Sequence, residues 1–293
     1  MVSVGDHKLH LLCKGNAAPA VVIEQGAGEL SRLWWPVQDQ VAEFATVCTY
    51  DRAGYGWSEP APAGRTIEER AEELHALLAN ADVPGPYILV AHSYGGLIVR
   101  CFAHNHPDRT AGLVLVDTPE EATIFRPEVL KFYSRVRLMT KAMEFAARFG
   151  LLRLLGNWLP LDRSGFLTRP GENAAAADDL ASLQCAEPSL RKSGSLGNLG
   201  DLPLAVLTHG RPFPGPFSII ENGWTEGQTR LAALSTNSLL VVAKNSNHMI
   251  HIDEPGVVVD AIRRVHSAVR NKTRLAHDGS GMVSTQRASA EPS

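Results

Sequence analysis

Short apolar runs recur along the chain at Ala20–Glu24, Ala45–Asp51, Tyr87–His92, Gly112–Asp117, Leu204–Thr208 and Ser238–Ala243, each bounded by turn-forming residues. Runs of this length without strict alternation predict strands covered on both faces, as in a parallel sheet sandwiched by helices. The segments between them predict helices at Thr66–Ala81, Gly95–His104 and Pro255–Val269. In the first, Ile67, Ala71, Leu74, Leu77 and Leu78 form an apolar stripe opposite Glu68, Glu69, Glu72 and Glu73. Thr66 followed three residues later by Glu69 fits a capping box. Alternation around Gly5-Asp6 within Met1–Leu12 predicts an opening β-hairpin. The pattern is that of an α/β fold.

The strand–helix alternation stops between about Pro119 and Asp201. A connection of that length needs structure of its own, and a mostly helical lid is expected there. Phe132, Val136, Met139 and Met143 are spaced four, three and four apart, which puts them on one helix face. Lys131, Arg135, Arg137, Lys141, Arg148 and Arg153 surround that stripe against the single Glu144. The stripe suits a lid helix covering a pocket better than a basic amphipathic helix lying on a membrane, since such stripes are more often packing surfaces. The expected organisation is a core of residues 1–118 and 202–270, a lid of 119–201, and a polar, disordered tail of 271–293.

A chain of 293 residues, 44% hydrophobic and 20% charged, suits one large domain with an insertion. Its net charge of −3 gives no electrostatic footprint for nucleic acid and favours small-molecule chemistry. Cys13, Cys48, Cys101 and Cys185 lie far apart, mostly in apolar runs, and read as buried thiols rather than a zinc or disulfide framework. With no basic stretch leading an apolar signal core and no spanning helix, a cytoplasmic protein is expected.

The candidate chemistry centres on Ala91-His92-Ser93-Tyr94-Gly95-Gly96, where an apolar strand gives way to helix-like sequence. A serine on a sharp strand-to-helix turn has its hydroxyl lifted clear of the backbone, beside unpaired helix N–H groups. A glycine-rich turn whose serine caps a helix is the bland alternative. Serine is a poor nucleophile at neutral pH, so it requires a histidine base, an orienting carboxylate and oxyanion donors. His248, in the loop Asn245–Pro255 after the last predicted strand, is the candidate base, whereas His251 suits a packed or surface position. The candidate donors are the backbone N–H groups of Tyr94, directly after the serine, and of Ala27, in the turn Gly26-Ala27-Gly28 after an early strand.

Taken together, Gln25–Gly28, Tyr50–Ser58, Ala91–Gly96 and Asn247-His248 followed by Asp253-Glu254-Pro255 resemble the α/β-hydrolase fold superfamily. The resemblance, over roughly residues 4–268, is to its lid-bearing esterases, lipases, lactonases and proline iminopeptidases. It implies a mostly parallel central sheet of about eight strands, with a helical lid inserted after the strand ending at Asp117. Two departures stand out. Ala91 replaces the first glycine of the usual serine motif, a position where one methyl is often accommodated. The segment Leu207–Pro216, where most relatives carry the acid, holds no carboxylate, and Glu221 and Glu226 are the nearest downstream. A second arrangement in the superfamily puts the acid at the end of the strand after the nucleophile helix, which here is Asp117; otherwise Asp117 caps the turn into the lid.

The expected triad is Ser93, His248 and Asp117, with Ala27 and Tyr94 as oxyanion donors and Glu221 or Glu226 as alternative acids. The implied activity is hydrolysis of apolar, uncharged esters or lactones, with no cofactor or metal required. The lid's Met and Phe residues are expected to line the substrate pocket. A ligand-sensing receptor on the same fold is the rival reading. Within enzymes, an aminopeptidase or carbon–carbon bond hydrolase stays open.

Overall fold

The apolar runs form the middle of an eight-stranded sheet in a computed structural model that describes residues 1–149, 170–193, 197–275 and 282–283. In chain order its strands are β3 (Leu11–Lys14), β4 (Val21–Glu24), β5 (Val47–Tyr50), β6 (Tyr87–His92), β7 (Thr110–Val116), β8 (Leu204–His209), β9 (Ser238–Ala243) and β10 (Met282–Val283). The spatial order is β10-β9-β8-β7-β6-β4-β5-β3, parallel except for β3 on β5 and β10 on β9. The expected hairpin is present, with β1 (Val2–Ser3) antiparallel to β2 (Lys8–Leu9).

The helices are α1 (Trp35–Val41), α2 (Ile67–Asn80), α3 (Gly95–Asn105), α4 (Glu121–Ile124), α5 (Pro127–Arg148), α6 (Pro170–Ser193), α7 (Trp224–Ala232), α8 (Ile250–Asp253) and α9 (Pro255–Asn271). Successive strand residues feed opposite layers, as the pleat requires. Tyr87, Leu89 and Ala91 of β6 pack with α2 and α3, while Ile88 and Val90 pack with α1 and α9. A strand with both faces covered has no reason to alternate, which is why these runs are apolar throughout. Helix α2 buries the expected stripe and closes its N-terminus with the Thr66–Glu69 capping box.

Helices α4, α5 and α6 lie between β7 and β8, with 150–169 and 194–196 outside the described residues. Helix α6 is tied to the core through buried Asp179, which accepts from Arg52 at 2.9 Å and from the Tyr55 hydroxyl at 2.7 Å. Arg52 also pairs with Glu24 at 2.6 Å, and Arg70 with Asp178 at 2.7 Å. The expected inward stripe of α5 is corrected in phase. Val129, Tyr133, Val136 and Thr140 carry the same four-three-four spacing and pack inward, whereas Met139 is 58% exposed. Two overlapping apolar stripes share Val136, and spacing alone cannot choose between them.

The four cysteines are likewise not all buried thiols. Cys13 and Cys48 form a disulfide, Cys101 is a buried thiol outside it, and Cys185 is exposed. The pair arises because β3 and β5 align in a register that puts Cys13 directly opposite Cys48. Most of the tail expected to be disordered lies outside the described residues; within them Leu275 is buried and Met282–Val283 pair with β9. Among the described residues no helix is long and apolar enough to cross a membrane.

Candidate active site

Ser93 sits at the end of β6 with a φ of 48°, in the left-handed region that non-glycine residues seldom occupy. The turn is tight because Gly95 and Gly96 let the chain pass close to its neighbours. A Cβ on Gly95 would lie 2.6 Å from the Gln25 carbonyl oxygen, and one on Gly96 would lie 2.3 Å from Thr118 Cγ2. Ala91, by contrast, is fully buried between β4 and β7, so its methyl is accommodated. Asp117, one strand over, shares the same unusual φ of 48°. Strained backbone at two adjacent strand ends marks the C-terminal edge of the sheet as a site.

His248 reaches over that edge from the loop after β9. Its Nε2 is 2.9 Å from Ser93 Oγ, and its Nδ1 is 2.6 Å from Asp117 Oδ2. The sequence-derived serine, histidine and aspartate therefore meet in one hydrogen-bonded line. A carboxylate on Nδ1 places the ring proton there and leaves Nε2 free to take the serine proton. Burial and the nearby charge of His92 push the His248 pKa below its ordinary value, against the pull of Asp117. A neutral imidazole at neutral pH is the form that accepts a proton.

Asp117 is fully buried and accepts from more than His248. His209 Nδ1 donates to Oδ2 at 2.7 Å, while the His209 backbone N–H and Trp224 Nε1 each donate to Oδ1 at 3.0 Å. Burial alone would raise its pKa. The hydrogen bonds and charges of His209 and His248 outweigh it and hold the carboxyl well below the usual range. Neither alternative acid reaches His248. Glu221 faces His209 Nε2 at 3.3 Å and accepts from the Phe213 N–H at 2.9 Å, and Glu226 is exposed on α7. His209 and Trp224 were not singled out from sequence. The signal for His209 was its place at the end of β8, in the segment that otherwise lacks a carboxylate.

Ala27 and Tyr94 flank Ser93 along the wall of a cavity of about 470 Å³ beneath α5 and α6. Tyr94 is the N-cap of α3, so the first N–H groups of that helix point toward the serine end. The cavity wall is largely apolar, with Val136, Leu180, Phe213, Phe217 and Trp224 among its residues. Tyr133, Val136 and Thr140 are what α5 contributes, in place of the expected Met residues. A smaller cavity of about 260 Å³, bounded by Leu30, Leu33 and Met249, opens on the other side of Ser93 and His248.

Two clusters bring potential metal-ligating side chains together among the described residues. In the first, Glu29, His92 and His251, both His92 nitrogens are already engaged, by Glu29 at 2.5 Å and by the His248 carbonyl at 2.8 Å. His251 stacks flat on Trp34 at 4.2 Å, the packed position expected for it. In the second, the His75 and His106 rings are stacked with planes only 8° apart, so their in-plane lone pairs do not converge on one ion. Neither has the arrangement of a metal centre.

Against known proteins, the family described as alpha/beta hydrolase fold matches residues 19–153. The Bacillus subtilis (strain 168) protein YqjL is 29% identical over 259 residues, covering 87% of this chain and 86% of that one. An AB hydrolase superfamily protein of Gibberella zeae is 25% identical over 86% of this chain and 87% of that one, whereas the match spans only 41% of a Schizosaccharomyces pombe protein. Among solved structures, the enol-lactonase of Burkholderia xenovorans LB400 superposes with a TM-score of 0.68 at 20% identity, over 90% of this chain and 99% of that one. A thermophilic esterase of Thermogutta terrifontis gives 0.62 at 22%, over 89% and 94%. At these identities the structural likeness speaks for the fold.

Proposed function

Because the chain belongs to the α/β-hydrolase fold superfamily, we propose that it is a serine hydrolase cleaving carboxylic esters or lactones through an acyl-enzyme. The observation that carries this reading is the unbroken Ser93–His248–Asp117 line at the sheet edge. Ser93 Oγ attacks the carbonyl carbon while its proton passes to His248 Nε2. The backbone N–H groups of Ala27 and Tyr94 receive the oxyanion, a contribution of about 3–4 kcal/mol for one such donor. The imidazolium then protonates the departing alkoxide oxygen, leaving the acyl group on Ser93. Water, deprotonated by the same imidazole, releases the acid and restores the hydroxyl. Asp117 holds the ring throughout and stays ionised.

The substrate preference in this reading is for apolar, uncharged esters, since among the described residues the wall of the larger cavity has no carboxylate. That composition also disfavours an aminopeptidase, which needs an anion to hold the free amine. As to location, the Cys13–Cys48 disulfide supports an oxidising compartment over the cytoplasmic one expected from sequence.

Labelling with a fluorophosphonate probe tests the core of the proposal. Folded wild-type protein is expected to carry the label on Ser93, and Ser93→Ala to carry none and to hydrolyse no p-nitrophenyl ester. A folded wild-type protein whose Ser93 stays unmodified belongs with the ligand-sensing reading. A panel in which only charged acyl groups are cleaved overturns the apolar preference.

A further inference from the structure

Directly under the site lies a buried ionic couple that the hydrolytic steps do not use. Glu29, 8% exposed, ends the turn that carries Ala27, and His92 immediately precedes Ser93. The two meet at 2.5 Å, His92 Nδ1 to Glu29 Oε1. Each partner's remaining polar atoms go to a different part of the site. Glu29 Oε2 accepts the Gly26 backbone N–H at 2.9 Å, which braces the turn holding Ala27, and also Trp34 Nε1 at 3.4 Å. His92 Nε2 donates to the backbone carbonyl of His248 at 2.8 Å, which braces the loop holding the base. The connection is closely fitted: a Cβ on Gly26 would lie 2.8 Å from both Glu29 Oε1 and His92 Nδ1.

We propose that Glu29 and His92 form a charged strut that fixes the Ala27 turn and the His248 loop to each other and electrostatically keeps His248 in its proton-accepting form. The proposal deepens the serine-hydrolase reading and rests on His248 acting as the base. Both are positioning residues, since neither touches the larger cavity or the Ser93 hydroxyl.

The charge on the strut follows from what surrounds it. Burial works against protonation of His92. The charge of Glu29 and contact with it, the His248 carbonyl and the more distant Asp117 prevail and raise its pKa. Burial likewise works against ionisation of Glu29, and the charge of His92, the contact with it and the Gly26 N–H prevail in the other direction. Both His92 nitrogens face acceptor oxygens, and both shifts favour an imidazolium facing a carboxylate. The groups facing His248 are Asp117 from β7, Ser93 and His92 from the end of β6, and more distantly Glu29 and His251. Phe213 and Trp224 pack against its ring. The His92 ring centroid is 4.6 Å from that of His248. A cation at that distance disfavours a second positive charge on His248, so the base stays neutral to lower pH than burial alone would secure.

The test uses full-length protein and two independent readouts. The first is the native protein alone: imidazole NMR is expected to find His92 protonated at both nitrogens at pH 7.5, and a neutral His92 there overturns the proposal. The second is His92→Asn, with His92→Gln as a milder alternative, each first shown to be folded by circular dichroism. Removing the cation is expected to tighten proton binding by His248 roughly 3- to 10-fold, moving the acid limb of the kcat/KM profile up by about 0.5–1 pH unit. KM for an apolar ester is expected to change little while kcat falls. A lowered melting temperature with an unmoved acid limb would reduce the couple to scaffolding and overturn the proposal. The His248 titration is also readable by NMR without turnover. Failure of Ser93 to take a fluorophosphonate label would thus sink the hydrolase reading alone, and an unshifted His248 in the variant would sink the strut alone.

Discussion

At the residue scale, the carboxylate is the member of the site that sequence left open, and geometry bears on it directly. Asp117 contacts His248 Nδ1 at 2.6 Å, whereas Glu221 is spent on His209 and the Phe213 N–H. Asp117→Asn is expected to lower kcat by about four orders of magnitude, because an amide on Nδ1 permits the wrong tautomer. Glu221→Gln and Glu226→Gln should each retain turnover within an order of magnitude. Near-normal kcat in Asp117→Asn would remove it from the triad. Ser93 and His248 were legible as candidates because a serine among small residues at a strand end and a histidine loop after the last strand are local patterns. His209, Trp224 and Glu29 were not, since what they contact lies far off in sequence or, for Glu29, depends on how a turn folds back. His251 offers a separate test. It is buried flat on Trp34, neither ring nitrogen has a hydrogen-bond partner, and burial pushes its pKa down to about 3. A depressed histidine favours folding above its ordinary 6.5, and that contribution is lost as pH falls through this range toward 3. His251→Phe, which preserves the stacking and carries no proton, should therefore show a smaller drop in melting temperature between pH 7 and pH 4 than wild type. An equal drop would mean that His251 does not contribute to acid sensitivity.

At the element scale, strand identity was readable because two-sided burial writes a continuous apolar run, and α2 was readable from its cap and stripe together. Helix α5 exposes the limit of that reasoning. Its sequence holds two stripes of identical spacing, and only its packing against α6 and the cavity selects the one running through Tyr133 and Thr140. The attachment of α6 was invisible for the same reason. Asp179 lies in an alanine-rich stretch with nothing to mark it, yet it sits between Arg52 and Tyr55 of the Tyr50–Ser58 segment. Arg52 in turn pairs with Glu24, whose carboxyl burial pushes up in pKa against the pull of that guanidinium. Removing one partner from such a buried group leaves an unpaired charge, at a cost of about 3–5 kcal/mol. Asp179→Ala is thus expected to be strongly destabilising by urea denaturation. Asp179→Asn, which keeps a hydrogen-bond acceptor for Tyr55, should lie between it and wild type. Stability of Asp179→Ala within about 0.5 kcal/mol of wild type, the range of ordinary surface substitutions, would rule out this tie as the anchor of α6.

At the scale of the whole molecule, the sheet order explains how residues 93, 117 and 248 come together. Strands β6 and β7 are parallel neighbours, so their C-terminal ends lie side by side, and β9 delivers its loop to the same edge from two strands away. Alternating elements with short connections imply that order, which is why the site's location was legible before its contacts were. Pairing at the opposite edge was not legible, because the register between β3 and β5 cannot be read from two cysteines 35 residues apart. The register has a chemical consequence that thiol counting can check. Protein prepared without reductant and unfolded in guanidinium should present two titratable thiols, from Cys101 and Cys185, and four after reduction. Closing a loop of this length should stabilise the fold by about 3–4 kcal/mol through restriction of the unfolded chain. Reductant is therefore expected to lower the melting temperature of wild type while leaving a Cys13→Ser/Cys48→Ser double variant unaffected. Four thiols in the unreduced protein would mean that the edge pair stays open, and would remove the argument for an oxidising compartment along with it.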